Sequence, residues 1–153
     1  MPAHENLSNQ FGYRGSHQPD NDLDTPATRF HELDKAMPNF YDTPHHYIHS
    51  AKDDIYGASE AKKSAMSARG NPEADVIIHR AVPNGVDTIN PGDWVSTSRK
   101  YAAHHGQSNL PEGQKGNILT RTVKAKHISF GGNDGYEFGY VGTEPLKSTS
   151  TRM

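Results

Sequence analysis

The spacing of apolar residues changes once along this chain, near residue 72, and divides it into a helical half and a stranded half. In the first half Phe30, Leu33 and Met37 recur at i, i+3 and i+7, which predicts a short helix over residues 28–37. Thr43-Pro44 reads as another helix start, since threonine can cap an open N–H and proline suits the first turn. The turns after it would carry Tyr47 and Ile48 inward. A stretch rich in Ala, Lys, Glu and Met predicts a longer helix over residues 53–69, stopped by Gly70-Asn71-Pro72.

Beyond that stop the period shortens. Residues 74–82 are β-branched and read as a strand, followed by turns at Asn84-Gly85 and Asn90-Pro91-Gly92. Residues 93–97 make a second strand and residues 98–106 a short helix holding Tyr101, Ala102 and Ala103. Residues 107–116 form a polar loop. Residues 117–125 alternate as a half-buried strand does, 127–130 continue as another, and 136–141 close the set after a glycine-rich loop at 131–135. Helices first and a mainly antiparallel sheet second predict an α+β domain.

Composition narrows this picture. At 153 residues the chain suits one domain, yet only 32 % of it is hydrophobic and the mean hydropathy is −0.88. A small core with unpacked ends accounts for both values. Residues 1–24 are polar with lone Phe11, Tyr13 and Leu23, and read as a mobile arm; residues 143–153 read as a tail. The domain then spans residues 25–142. No cysteine is present, so disulfides, thiolate chemistry and cysteine zinc sites are excluded. A formal charge of −2 without a basic block gives no basis for bulk binding to nucleic acid. No apolar run approaches the roughly 18 residues of a membrane span. The first residues lack the basic start and apolar stretch of a signal peptide, so a soluble, cytoplasmic protein is expected. No long apolar stripe is left unpaired, which points to a monomer.

Three segments of the stranded half hold the chemistry. Ile77-Ile78-His79-Arg80, Val95-Ser96-Thr97-Ser98 and Tyr136-Glu137-Phe138-Gly139-Tyr140 put an arginine, a Ser-Thr-Ser run and a glutamate on separate strands. Each has a plain structural reading. Arg80 can be an ion-pair partner, the serines can cap the next helix, and Glu137 can be a solvent-facing strand charge. Histidine is abundant, at ten residues. On a helix His45 and His49 would share a face as an i, i+4 pair, but no further ligand is identifiable, so no metal is expected. His105 has two readings, lining a cleft or packing at the surface.

In this order and context the segments resemble ADP-ribosyltransferase-like domains of bacteriophages and bacteria. The likeness runs from Gly70-Asn71-Pro72 through His79-Arg80-Ala81-Val82-Pro83, then Ile89-Asn90-Pro91-Gly92-Asp93-Trp94-Val95-Ser96-Thr97-Ser98 with Tyr101-Ala102 and His105-Gly106, to residues 133–140. It covers about residues 28–142. It implies N-terminal helices packed on a split antiparallel β core, NAD as co-substrate, and transfer of ADP-ribose to an acceptor with loss of nicotinamide. Arg80 would hold the phosphate or ribose part of NAD. Ser96 would shape the nicotinamide–ribose pocket, Thr97 and Ser98 would buttress it, and the Ala81 backbone would meet the carboxamide. Glu137 would be the catalytic glutamate. Tyr101 would be core or stack on nicotinamide, with Tyr47 and Tyr56 as candidates for the adenine side.

Physical chemistry says what such a set must do. Breaking the nicotinamide–ribose bond builds positive charge on the ribose, the problem that glycosidases also face. A carboxylate at the ribose opposes that charge, and a fixed group of this kind is worth about 3–4 kcal/mol. Two residues before Glu137, where arginine-modifying relatives carry a second glutamate, stands Gly135. The acceptor is therefore open: a host protein first, nucleic acid second. NAD hydrolysis, with water as acceptor, and a non-catalytic or virion-associated binding domain are the alternatives.

Overall fold

The computed structural model describes residues 28–108, 116–131 and 135–147. The expected arm at 1–24, the tips of both loops and the last six residues lie outside them. The rest is α+β: one antiparallel sheet of five strands with two α-helices and short 3-10 turns. The strands are β1 (Asp75–Pro83), β2 (Trp94–Ser96), β3 (Gly116–Lys124), β4 (Ile128–Phe130) and β5 (Glu137–Tyr140). Their order across the sheet is β3-β1-β2-β5-β4.

The pairing is uneven. β1 and β3 match along nine residue pairs, from Asp75↔Lys124 to Pro83↔Gly116. β2, β5 and β4 form a second patch of three-pair ladders. Between β1 and β2 there is a single pair, His79↔Ser96. The sheet is two sub-sheets joined at one seam.

Helix α1 (Ala58–Ala68) buries Ala58, Ala61, Ala65 and Ala68, a face of small side chains. Its first turn is held by the Asp54 carboxylate, which accepts from the Ala58 N–H at 2.8 Å. Helix α2 (Arg99–Ser108) follows β2 directly and lies against β1, where Gly106 sits on Ala81 with no room for a Cβ. The core gathers Phe30, Leu33, Phe40, Ile48, Ile78, Ile128 and Phe138. Phe30 meets Phe138 edge to face, with centroids 5.0 Å apart. Burying a ring of this kind contributes several kcal/mol, since truncating one to alanine costs about 3–5 kcal/mol.

The strands and α2 form where alternation and turns place them, with ends shifted by a residue or two. The first half departs from expectation. Residues 28–37 are a 3-10 turn, Phe30–Lys35, with Glu32 outside helical geometry. The second start yields only Pro44–His46, and Thr43 makes no side-chain cap. The long helix loses its first turn to a separate 3-10 piece, Lys52–Asp54, because Asp53, Asp54 and Gly57 all have positive φ. The expected tail stays on the domain as far as residue 147: Ile89 and Leu146 exchange backbone bonds, and Arg121 donates to the Leu146 carbonyl. Among the described residues no helix is long and apolar enough to cross a membrane.

Candidate active site

The seam places the functional side chains. Antiparallel partners point to the same face, so His79, Ser96 and Glu137 form a row across β1, β2 and β5 on one face of the sheet. Ser96 is buried, and Glu137 half-buried. Where β2 ends the chain turns into α2, and Ser96 Oγ accepts from the Ser98 N–H at 3.0 Å. Ser98 is the helix N-cap: its Oγ accepts from the Tyr101 N–H at 3.1 Å and donates to the Tyr56 carbonyl at 2.6 Å. Gly57 fits against that hydroxyl with φ +70, and a Cβ there would stand 2.3 Å from Ser98 Oγ. Glu60 of α1 adds a second cap, accepting from the Arg99 N–H at 2.9 Å.

Held in this way, α2 delivers Tyr101 to the row. Its hydroxyl donates to Glu137 Oε1 at 3.0 Å. A carboxylate has about four acceptor positions and this bond uses one, so Glu137 keeps capacity for a ligand hydroxyl. The Tyr101 ring is parallel to Tyr136 (4.7 Å, 4°) and to His105 (4.2 Å, 13°). Tyr56 stands edge-on to the group, 6.1 Å from Tyr101 and 5.2 Å from His104.

His79 lies in the same row beneath the helices. Its Nδ1 is 2.9 Å from Thr120 Oγ1 and its Nε2 is 3.6 Å from Glu60 Oε2. Burial pushes its pKa below the usual histidine value; Glu60 works against that shift and Arg99 adds to it. The imidazole is thus held towards its neutral form.

Arg80 is the next residue on β1 and takes the other face, with Val76, Ile78 and Val82. It donates to the Trp94 carbonyl at 2.8 Å and its Nε lies 3.6 Å from Asp93 Oδ2. It is 7 % exposed and Asp93 0 %. Asp93 Oδ2 also accepts from the Asn90 N–H, closing the turn before β2. Arg80 therefore straps β1 to the start of β2 where the ladder offers one pair. Of the expected site residues, Ser96, Ser98, Tyr101 and Glu137 are brought together. Arg80 points away from them, Thr97 is buried with its hydroxyl unpaired among the described residues, and Ala81 is covered by Gly106.

Gly135 is packed, as well as lacking a side chain. A Cβ there would meet Ile48 Cγ1 at 2.4 Å and the Tyr47 carbonyl at 3.1 Å. The helix on which His45 and His49 would share a face does not form, because that turn ends at His46 and leaves His49 outside. Among the described residues no group of three or more His, Asp or Glu side chains is placed to hold a metal ion. Sequence reasoning missed Glu60 and His79. Glu60 reaches its partner across 39 residues, and nothing in its helical surroundings marks it.

Family models, curated proteins and solved structures were compared with the chain, and none of them matches it. The functional reading rests on the site itself and on the resemblance of its three segments.

Proposed function

We propose that the domain splits NAD between nicotinamide and ribose and transfers the ADP-ribose to a macromolecule, a host protein first. The observation that carries this is Glu137: a half-buried carboxylate, oriented by the Tyr101 hydroxyl and in register with Ser96. The resemblance supplies NAD; the donor set fits it. Glu137 can accept the ribose 2′-hydroxyl and face C1′, and buried Ser96 shapes the adjoining wall. The C1′–N1 bond breaks with both electrons going to the ring nitrogen, so nicotinamide leaves neutral. Positive charge moves to the ribose, where Glu137 opposes it. The acceptor then bonds to C1′ and releases a proton to solvent.

Arg80 is read here as a positioning residue, since its guanidinium is engaged on the opposite face. The two sub-sheets joined at one pair suit the split core that the resemblance implies. Hydrolysis is the second reading. Gly135 leaves no space for a second acidic side chain beside the acceptor, so acceptors that need none, water included, are favoured.

The test is incubation with biotin-labelled NAD and a bacterial lysate, with Glu137→Gln in parallel. A labelled band absent from the variant supports transfer. Free nicotinamide without a band supports hydrolysis. Neither product, from a folded protein, sinks the NAD reading. Glu137→Gln is expected to slow nicotinamide release by roughly two to three decades.

A further inference from the structure

The start of α2 is docked on the segment that runs from residue 54 to residue 60. Lys100 Nζ donates to the Asp54 carbonyl at 3.3 Å, and Ser98 Oγ donates to the Tyr56 carbonyl at 2.6 Å. Gly57 lies against the Ser98 hydroxyl with no room for a Cβ. Glu60 completes the set, its Oε1 accepting from the Arg99 N–H at 2.9 Å. The first N–H groups of a helix have no partner within it, and a carboxylate there meets both an open donor and the positive end of the helix dipole. The other oxygen, Glu60 Oε2, lies 3.6 Å from His79 Nε2. That is too long for a hydrogen bond, but it sets the charge beside β1, the strand on which α2 lies. One side chain therefore faces the helix start and the His79–Ser96–Glu137 row together.

Two residues after Arg99 comes Tyr101, whose hydroxyl donates to Glu137 Oε1 at 3.0 Å. This bond has little slack, since O–H···O bonds fall mostly between about 2.5 and 3.0 Å. A displacement of the helix start passes through less than one turn of backbone and a stiff ring to the hydroxyl. We infer that Glu60 is a positioning residue for the Glu137 carboxylate, acting through α2 and the Tyr101 hydroxyl; this rests on the NAD reading above. Glu60 needs no contact with NAD to do this. It keeps the donor where Glu137 can use it, and its effect falls on the bond-breaking step rather than on NAD binding.

The experiment compares the wild-type full chain with Glu60→Ala, Glu60→Gln, Tyr101→Phe and the double variant Glu60→Ala/Tyr101→Phe. It measures kcat and KM for nicotinamide release, and amide hydrogen exchange at Arg99 as a readout independent of activity. In Glu60→Ala the Arg99 amide should exchange faster, and kcat should fall about three- to tenfold with KM unchanged. Glu60→Gln keeps an oxygen for the Arg99 N–H and should recover most of the rate. The double variant should be no slower than Tyr101→Phe, because the hydroxyl through which Glu60 acts is already gone. A purely structural role for Glu60 would instead add its loss to that of Tyr101→Phe. That pattern overturns the inference while the NAD reading stands, and so does an unchanged Arg99 exchange rate, an unchanged kcat or a loss confined to KM in Glu60→Ala. Wild-type protein that releases no nicotinamide overturns both.

Discussion

At the seam the sheet presents a charged strand residue on each face, Arg80 on one and Glu137 on the other, and the two are used differently. On one face Arg80 is 7 % exposed, pairs with a fully buried Asp93 and donates to the Trp94 carbonyl. On the other Glu137 is half-buried and oriented by one tyrosine hydroxyl. Arginine among apolar neighbours is stable only when paired, so its capacity is committed within the fold. Glu137 is oriented and still accessible, which is what a group acting on a ligand requires. The contrast fits a structural part for Arg80 and, on the proposed reading, the chemistry for Glu137, although the motif names them together.

The largest effect that can break this comparison is on stability. Arg80→Ala leaves Asp93 buried without its cation and should cost about 3–5 kcal/mol, read as a lower denaturant midpoint. Arg80→Met combined with Asp93→Leu should recover part of that loss. Recovery stays incomplete, because the Asp93 carboxylate also closes the turn through the Asn90 N–H. A fully stable Arg80→Ala with raised KM for NAD would reverse the assignment and make Arg80 a ligand contact.

Next in size is Tyr101→Phe, which keeps the stack and removes only the hydroxyl. Hydrogen bonds to charged groups are worth about 1.5–3 kcal/mol, so kcat should fall roughly ten- to hundredfold. The melting temperature should move far less than in Arg80→Ala. A rate equal to wild type would mean that Glu137 needs no orienting donor.

The stranded half was legible because period two and turn residues act locally. Val76, Ile78 and Val82 alternate inward, and strand ends fall within a residue or two of expectation. The same parity carries a signal that the motif obscured: Arg80 is even with Ile78 and Val82, and His79 odd with Ala81, which assigns Arg80 to the core face. Residues 28–57 were not legible. Phe30 and Leu33 have helical spacing, but docking on the sheet decides their conformation, and Asn39, Asp53 and Asp54 take positive φ. Within the site, the Ser98 cap follows from a serine before a helix. The Glu60 cap and the Tyr101–Tyr136 stack depend on contacts between distant elements, and no local pattern encodes those.

The smallest effect concerns His79, the histidine of the row His79, Ser96 and Glu137. Burial lowers its folded pKa below the ordinary 6.5, and His127 is lowered in the same way by burial and by Lys126. The unfolded chain therefore binds protons near pH 6.5 that the folded chain resists. Stability is full above that pH and declines as pH falls through it towards the folded values. Melting temperatures at pH 7.5 and 5.5 should show the loss. Glu60 faces the imidazole from α1 and Arg99 from the start of α2, with opposite effects. Glu60→Gln keeps an oxygen for the Arg99 N–H yet removes the charge that favours imidazolium, so the acid-side loss should steepen. His79→Gln should flatten it. An unchanged slope in both variants would place the acid sensitivity outside this row, at His127 first.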